Sequence, residues 1–484
     1  MSELNVGTEA SSGAAGASPP DPRRWKALAL LCTASFMVIL DAQIVILALP
    51  SIEAELAFAP GAAQWVLSAY LLTFGGLLLL GGRSADLLGR RRMFMIGTAL
   101  FLVASLVCGL AWTSGVLIAA RAVQGVSAAI MAPTALSIVL TTFDVDAERN
   151  RALGIWSGIG GIGATAALLV GGPITDWLGW EWIFFINIPV AIGLLVLSPV
   201  LLRESRATAR TRSFDLAGAA TITLAAVLFV YALVQAPQVG WISLPTLGLL
   251  VAGAILVDIF LRIEERSAAP LVPLRIFRSR ALVGGNVAMV LLGTIAFGMP
   301  FVVSLYAQQV LGYSAIVFGL STVIMTVMAV VGSFAGQAIV TRTGFRMVAA
   351  VGLALGAVGC LLLSRVSADG SYFGDIFFGL LVFGPGLGAC YVAVSIAALT
   401  GVPEQESGLA SAINTAAFQI GGAIGVAVCS TVVVASVAGA DGPEALTDGF
   451  RAGFLACVIL AVIGVAVALT LLRQPRRQPS GVAK

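Results

Sequence analysis

Apolar stretches of about twenty residues or more follow one another along nearly the whole chain, separated by short polar segments. A helix needs about 20 apolar residues to cross the hydrocarbon core of a bilayer, which is about 30 Å thick. The pattern therefore predicts an all-α integral membrane protein with fourteen transmembrane helices, arranged as six, two and six. The predicted helices are Ala27–Pro50, Gln64–Gly82, Met93–Ala111, Gly115–Thr141, Ala152–Ile174, Trp182–Leu202, Leu216–Ala236, Leu244–Ile263, Ala281–Val310, Ala315–Val340, Met347–Arg365, Phe373–Thr400, Ser407–Ala438 and Phe450–Leu472.

The same pattern divides the chain into five parts. Residues 1–22 are rich in Ser, Ala, Gly and Pro, which predicts a disordered cytoplasmic tail. Residues 23–203 are expected to form an N-terminal six-helix bundle, residues 204–265 two inserted central helices, and residues 266–473 a C-terminal six-helix bundle. Residues 474–484 are expected to form a second cytoplasmic tail.

The distribution of charge predicts how the helices are oriented. Only 11% of the residues are charged, compared with about 25% in soluble proteins. If the N-terminus is placed in the cytoplasm, 24 of the 27 Lys and Arg residues fall in segments on the cytoplasmic side. Basic residues concentrate on that side of membrane proteins, so both termini are expected to be cytoplasmic in a multi-pass protein of the cell (inner or plasma) membrane. Arginine outnumbers lysine 25 to 2 and Ala, Gly and Val are abundant, which indicates GC-rich coding rather than a nucleic-acid partner.

The residue types that commonly bind metals are scarce. The chain contains no histidine, and its six cysteines lie inside apolar stretches without a CxxC pair. Scattered apolar cysteines usually behave as small hydrophobic residues. We therefore expect no metal site and no cofactor, and any proton relay must use carboxylates.

Two opposite charges are predicted to lie inside the membrane. Asp41 lies about nine residues below the outer end of the first helix, or roughly 14 Å deep at 1.5 Å per residue. Arg121 lies about seven residues below the outer end of the fourth helix, roughly 10 Å deep. Each charge needs a partner in this environment, and each is the best candidate for the other. The pair is either structural or a proton-coupling site, in which Asp41 takes up a proton and Arg121 sets its affinity.

The polar segment 82–92, with the sequence GRSADLLGRRR, separates the second and third predicted helices. It is either a simple basic turn or a motif, since it also has an aspartate at a helix end and two glycines seven residues apart. The segment resembles the signature loop of the major facilitator superfamily. That resemblance implies a cytoplasmic latch, opening and closing with transport, formed by Gly82, Asp86, Gly89 and Arg90.

Further segments resemble the fourteen-helix drug:proton antiporters of that superfamily. They are residues 40–50 (LDAQIVILALP), residues 121–125 (RAVQG) and residues 180–189 (WEWIFFINIP). The resemblance covers nearly the entire chain. It implies that Asp41 is the coupling carboxylate, that Arg121 takes part in proton transfer and that the proton gradient drives transport.

The chain departs from the family pattern at two places. Gln43 and Ile46 stand where the family usually has Thr and Asn, so contacts to substrate or proton are expected to differ there. In the fifth helix, Ala167-Leu168 replaces a Gly-Pro pair, so the expectation of antiport comes from the family rather than from this motif. Small residues still predict close helix packing. The residues assigned to helix packing are Gln124, Gly125, Gly158, Gly163, Gly171 and Gly172.

The second half shows a weaker copy of the signature segment. Gly344-Phe345-Arg346 parallels Gly89-Arg90-Arg91, and Thr341 stands where an aspartate is expected. Related halves are typical of transporters with a substrate site at the midplane between them. Away from their ends, the last six predicted helices contain no carboxylate, so proton coupling is expected in the first half.

Several polar residues are candidates for a substrate cavity. For each of them, a hydrogen bond between helices is an equally good interpretation. These candidates are Gln43, Tyr70, Thr73, Tyr306, Gln309, Asn414 and Gln419.

The sequence favours a proton-coupled efflux transporter that exports small amphipathic organic compounds, such as drugs or antibiotics, by alternating access. The alternative is an importer or facilitator of a small metabolite on the same fold. A membrane-embedded enzyme would need a converging nucleophile–base set or metal ligands, and an ion channel would need a selectivity filter; neither is visible. The expected partners are the lipid bilayer, a small-molecule substrate and protons, and the protein is expected to be a monomer.

Overall fold

The computed structural model describes residues 22–59, 62–143, 146–205, 215–267, 270, 272, 274–402, 407–437 and 442–472. Within these ranges, the side chains of residues 146, 147, 150, 157, 158, 160, 161, 164, 237, 238 and 407 are not described. All the regular secondary structure in the described part of the chain is helical. Its long helices are α1 Arg24–Glu55, α2 Trp65–Leu88, α3 Arg90–Gly109, α4 Ser114–Thr142, α5 Asp146–Leu178, α6 Trp182–Leu201, α7 Leu216–Val239, α8 Leu244–Arg266, α9 Arg280–Val310, α10 Ala315–Thr343, α11 Phe345–Leu363, α12 Tyr372–Leu399, α13 Ser407–Val437 and α14 Pro443–Leu471.

Among the described residues, thirteen of these helices are long and apolar enough to cross a membrane, all except α5. Large apolar side chains such as Trp112, Ile242 and Leu244 are exposed on the exterior of the bundle. Such a surface is stable against lipid tails and unfavourable in water. The fold is therefore that of a multi-pass membrane protein.

Each predicted helix overlaps an observed one, but several ends differ. α1 continues past Pro50 to Glu55, and α14 begins at Pro443, seven residues before the predicted start. The segment 82–92 is almost entirely helical, because α2 runs to Leu88 and α3 begins at Arg90. Only Gly89, with φ 111°, interrupts it. Residues with a side chain rarely adopt this conformation, so a glycine can end one helix and start the next within a single residue.

Contacts between distant segments define two faces of the helical bundle. At the face where α1 begins, here called the N-terminal face, Arg24 pairs with Glu148 at 2.9 Å. At the other face, called the opposite face, the indole Nε1 of Trp180 donates to Glu55 at 2.9 Å. Successive helices therefore run in alternating directions between the two faces.

The first six helices are here called the first bundle and the last six the second bundle, and helices of the two make contact at the opposite face. Ser304 Oγ of α9 donates to the carbonyl of Ile46 at 2.8 Å, and Gln308 Nε2 donates to the carbonyl of Leu47 at 3.2 Å. The Asp176 carboxylate of α5 accepts the first backbone N–H groups of α10, from Ala315 at 3.1 Å and Ile316 at 3.0 Å. A carboxylate at a helix N-terminus is favourable because the N–H groups there have no partner within the helix.

The inserted pair, α7 and α8, lies beside the second contact between the bundles, where α2 packs on α13. Thr431 Oγ1 of α13 donates to the carbonyl of Leu233 at 3.2 Å, and the ring of Trp65 on α2 lies 6.1 Å from that of Tyr231. α7 therefore contacts both bundles, whereas α8 packs mainly on α7.

Candidate functional site

A buried ion pair lies in the core of the first bundle. Arg121 Nη1 on α4 lies 2.6 Å from Asp41 Oδ2 on α1, and both side chains are 0% exposed. The structure thus joins the two charges that the sequence placed at similar depth. A buried ion pair is stable only where further hydrogen bonds satisfy the remaining polar atoms.

Two amide side chains complete the coordination of the Asp41 carboxylate. Gln124 Nε2 donates to Asp41 Oδ1 at 3.1 Å, and Asn187 Nδ2 of α6 donates to the same oxygen at 2.8 Å. Arg121 and Gln124 share one side of α4 because they are three residues apart. Asn187 lies where α6 is interrupted at Ile186, between its segments Trp182–Phe185 and Asn187–Leu201. The carboxylate therefore connects α1, α4 and α6.

The guanidinium of Arg121 extends these contacts to α2. Its Nε donates to the carbonyl of Val66 at 3.0 Å, and its Cζ lies 4.3 Å from the centre of the Tyr70 ring. Nη1 also donates to Gln124 Oε1 at 2.8 Å. The remaining nitrogen, Nη2, is buried without a hydrogen-bond partner among the described residues. Such a group is unusual in a native core.

α3 contributes the outermost contacts of the network. Gln124 Nε2 donates to Ser105 Oγ at 2.8 Å, and Cys108 Sγ donates to Gln124 Oε1 at 3.3 Å. Gln124 was predicted to serve helix packing, and the structure places it against both members of the ion pair. Side chains from five helices, α1 to α4 and α6, therefore surround a single carboxylate.

The contacts of Asp41 fix what its protonation must do. Arg121, Gln124 and Asn187 all donate hydrogen bonds to it, which suits an ionised carboxylate that can only accept. A proton on Oδ1 would compete with the two amide donors, and a proton on Oδ2 would weaken its bond to the guanidinium. Either proton also leaves the guanidinium without its counter-charge. Protonation of Asp41 would therefore weaken the contacts that join α1, α4 and α6.

The residues predicted to form a latch lie at the N-terminal face. Arg90 Nη2 pairs with Asp86 Oδ1 at 2.8 Å across Gly89, and the backbone N–H of Arg90 donates to the carbonyl of Ser205 at 3.0 Å. Glu204 accepts the backbone N–H groups of Arg91 and Arg92, each at 3.2 Å. The segment that follows α6 thus holds the start of α3. Sequence reasoning missed Glu204, although an acid just after α6 and close to three arginines was a usable signal.

The glycines of the first bundle differ in what their packing requires. A Cβ on Gly81 would overlap the carbonyl of Ala129, whereas one on the predicted latch residue Gly82 would only touch Pro133 at 3.5 Å. At Gly125, a Cβ would overlap Thr73 Oγ1 and the carbonyl of Tyr70. The close approach of α2 and α4 therefore depends on Gly81 and Gly125.

Small residues of α5 face two neighbours. Gly163 and Gly171 pack on α1, at Ile39 and Ile44, while a Cβ on Gly172 would lie 2.6 Å from the carbonyl oxygen of Ala315 on α10. Gly158 lies in α5, but its surroundings are outside the described part of the chain. Ala167 and Leu168 stand where the family has a Gly-Pro pair. Ala167 is fully buried, and the carbonyl of Leu168 packs on Gly319 of α10.

The predicted substrate-cavity residues do not gather in one place. Tyr70 OH donates to the Val38 carbonyl at 3.4 Å, Thr73 Oγ1 to Ala122 at 2.9 Å, and Tyr306 OH to Ser367 at 2.7 Å. Asn414 Nδ2 lies 3.4 Å from Asn286 Oδ1 inside the second bundle. Gln419 lies against Gly75 where the bundles meet, Gln43 is half-buried on α1, and Gln309 is exposed near the opposite face. Their role in binding stays a prediction.

The six cysteines are free and buried. Cys429 and Cys457 approach to 3.4 Å between their sulfur atoms in the second bundle. Among the described residues, no group of three or more His, Cys, Asp or Glu side chains is arranged to hold a metal ion.

Comparison with known proteins agrees with this architecture. The profile described as Major Facilitator Superfamily matches residues 31–426. The puromycin resistance protein of Streptomyces alboniger is 37% identical over 462 residues, which cover 94% of this chain and 91% of that protein. The cephamycin export protein CmcT of Amycolatopsis lactamdurans is 35% identical over 460 residues, covering 94% of both proteins.

Among solved structures, a bacterial homologue of the human lysosomal transporter Spinster resembles this chain with a TM-score of 0.65. The alignment covers 94% of this chain and 98% of the solved one, at 17% sequence identity. At this level of identity the similarity concerns the fold alone.

Proposed function

Because the chain belongs to the major facilitator superfamily, we propose that it is a proton-coupled antiporter that exports small amphipathic organic compounds from the cell. Antibiotic export or resistance proteins are similar to it over more than nine-tenths of its length. The superfamily and these relatives are transporters rather than enzymes. The observation that carries the coupling mechanism is the fully buried Asp41–Arg121 pair. Its carboxylate also accepts hydrogen bonds from the side chains of Gln124 and Asn187.

In the proposed topology all fourteen helices cross the plasma membrane, including α5, and the N-terminal face is cytoplasmic. Two observations support this. α5 packs on α1 and on α10 between the bundles, as a spanning helix must. The loops at the N-terminal face also carry nearly all the basic residues, as cytoplasmic loops do. The arrangement described above, with the bundles joined at the opposite face, is then the state closed toward the outside.

Proton uptake by Asp41 provides a physical route to alternating access. It removes the counter-charge of Arg121 and weakens the hydrogen bonds that tie α1 to α4 and α6. The same helix α1 supplies, through Ile46 and Leu47, carbonyls that accept hydrogen bonds from the second bundle. These carbonyls lie five and six residues beyond Asp41, or roughly 8 Å and 9 Å along the helix. A shift of α1 on protonation would therefore act directly on the contact that closes the outer side.

The energetics are sufficient for export. One proton that moves down a potential of 100 mV releases roughly 2.3 kcal/mol. At about 1.4 kcal/mol for each tenfold ratio, one proton supports a substrate gradient of roughly fiftyfold. No cofactor is needed in this scheme.

The test is transport by inverted membrane vesicles with an imposed pH gradient, with puromycin and the dye ethidium as probes. Wild-type vesicles should accumulate at least one probe when the lumen is acidic, and Asp41→Asn should keep probe binding but lose the pH-driven part. Glu55→Gln is the matched control, because Glu55 is a carboxylate of the same helix whose partner is Trp180 rather than Arg121.

Two outcomes would contradict the proposal. Full pH-driven transport by Asp41→Asn would remove this carboxylate from the mechanism. Proton-driven movement of the probes out of the inverted vesicles would show import, which is the alternative function on this fold.

A further inference from the structure

A cavity of about 340 Å³ opens at the opposite face, between the two bundles. It is lined by the ends of α1 and α2 from the first bundle and by α9, α13 and α14 from the second. Small-molecule sites in proteins typically have volumes of about 300–1,000 Å³. Glu53 of α1 lines the cavity, whereas Asp41 does not. Glu53 lies twelve residues beyond Asp41 along the helix, or roughly 18 Å away.

Most of the cavity wall is apolar. Phe301, Leu305, Val433 and Phe450 are buried side chains that line it. Two of the four are aromatic rings, which favour flat apolar groups and attract cations through their faces. The wall is therefore suited to the hydrophobic body of an amphipathic molecule.

Four polar residues also line the cavity, namely Glu53, Gln64, Gln309 and Ser430, and the first two carry acceptor oxygens without a partner in the described part of the chain. The Glu53 carboxylate has no ion pair or side-chain hydrogen bond among the described residues, and no basic residue lines the cavity. Gln64 is only 2% exposed, and its Oε1 is buried without a partner. A half-buried carboxylate and a buried amide oxygen both gain free energy from a donor that replaces the missing partner, and a cation supplies this most strongly.

We propose that this cavity is a binding site for an amphipathic organic cation, with its positively charged part between Glu53 and Gln64 and its apolar body against Phe301 and Phe450. If the protein exports cations, as the proposed function holds, this cavity is the last site that the cation occupies before its release to the outside. Binding itself does not depend on export. The site is separate from the buried pair, so substrate charge and coupling proton are handled by different carboxylates of α1.

The test measures ethidium binding to the purified full-length protein by fluorescence. Glu53→Gln should weaken ethidium binding about tenfold or more, and Gln64→Leu should weaken it severalfold. Binding of the neutral dye Nile red should stay within twofold of the wild type in both variants. Glu55→Gln is the matched control, two residues further along α1 and bonded to Trp180 outside the cavity, and it should bind ethidium like the wild type.

A labelling experiment tests the location. All six native cysteines are buried, so a cysteine introduced at Gln309, an exposed residue of the cavity wall, provides a single accessible thiol. A membrane-impermeant maleimide added to intact cells should label Gln309→Cys, and ethidium should slow the labelling. The same protection should disappear when Glu53→Gln is added.

Unchanged ethidium binding in Glu53→Gln, equal weakening in Glu55→Gln, or equal loss of the neutral dye would overturn the proposal. These outcomes are distinguishable from failure of the proposed function. If Glu53→Gln weakens ethidium binding but wild-type vesicles show no pH-driven transport, the cavity assignment stands and antiport fails. If pH-driven transport depends on Asp41 but Glu53→Gln binds ethidium normally, antiport stands and the cavity assignment fails.

Discussion

In the first bundle, α1, α4 and α6 meet around a carboxylate and a guanidinium that are fully buried, whereas the buried polar contacts of the second bundle join neutral groups. In the second bundle, Asn414 Nδ2 lies 3.4 Å from Asn286 Oδ1. The sulfur atoms of Cys429 and Cys457 are also 3.4 Å apart. The described residues of the second bundle include no buried charged side chain. Two bundles of the same architecture therefore differ in one physical property, namely whether binding a proton changes the charge of the core.

The helix connections at the N-terminal face show the same division. Gly89 before α3 and Gly344 before α11 both have positive φ, 111° and 85°, so the backbone turn is shared. Only the first carries an aspartate–arginine pair, Asp86 with Arg90, since Thr341 and Phe345 occupy the equivalent positions. In the proposed mechanism, both repeats supply the same backbone turn, and the charges of the first repeat make its movement depend on protons.

The largest expected difference between the bundles is the cost of breaking a buried polar pair. Arg121→Gln leaves the Asp41 carboxylate buried without its counter-charge, which costs roughly 3–5 kcal/mol of stability. Asn414→Leu removes two neutral hydrogen bonds of the second bundle, to Asn286 and from Ser395, and should cost about 1–3 kcal/mol. Thermal unfolding in detergent micelles should rank the two variants in this order. Equal destabilisation would mean that the buried charges are not what distinguishes the bundles.

A double variant separates stability from coupling. Asp41→Asn combined with Arg121→Gln removes both charges, so no unpaired charge remains buried and most of the stability lost in the single variants should return. Transport driven by a pH gradient should stay absent, since no group in this core can then change its charge. Recovery of both properties together would indicate that the pair is purely structural.

A smaller effect is expected from the hydrogen bond that Asn187 donates to Asp41. Asn187→Leu removes one donor to a charged acceptor, which costs about 1.5–3 kcal/mol. pH-driven ethidium transport should fall severalfold without being lost, because Arg121 and Gln124 still hold the carboxylate. Ser395→Ala, which removes a 3.4 Å hydrogen bond to Asn414 in the second bundle, is the control and should leave transport unchanged. A result in which both variants behave alike would remove Asn187 from the site.

The smallest change in stability is expected at the latch. Asp86 and Arg90 form a partly exposed pair with i,i+4 spacing, worth about 0.2–1 kcal/mol. Asp86→Asn should therefore unfold almost like the wild type while its rate of ethidium efflux falls severalfold. Asp258→Asn breaks a pair of the same spacing on the inserted helix α8 and should change neither quantity. Unchanged efflux in Asp86→Asn would show that the pair is not part of a latch.

The sequence was informative where one physical requirement dominates. Lipid demands long apolar segments, so every predicted helix overlaps an observed one, and two lone charges at matched depth can only pair, as Asp41 and Arg121 do. The sequence was less informative where several helices converge. Asn187 and Gln124 contact Asp41 because α4 and α6 cross α1 at one level, and nothing in the local sequence fixes that crossing. The cavity beside Glu53 forms between segments that are roughly 240 to 400 residues apart in the chain, so no local sequence pattern predicts it.

Protons released when a substrate binds would test the coupling role of Asp41 most directly. Ethidium carries a permanent charge, so any proton that appears when saturating ethidium is added to purified protein in weak buffer comes from the protein. In the proposed antiport, substrate binding favours the form in which Asp41 is ionised, so we expect the wild type and Glu53→Gln, which lacks the carboxylate of the outer cavity, to release protons and Asp41→Asn to release none. Equal release from Asp41→Asn and the wild type would contradict it.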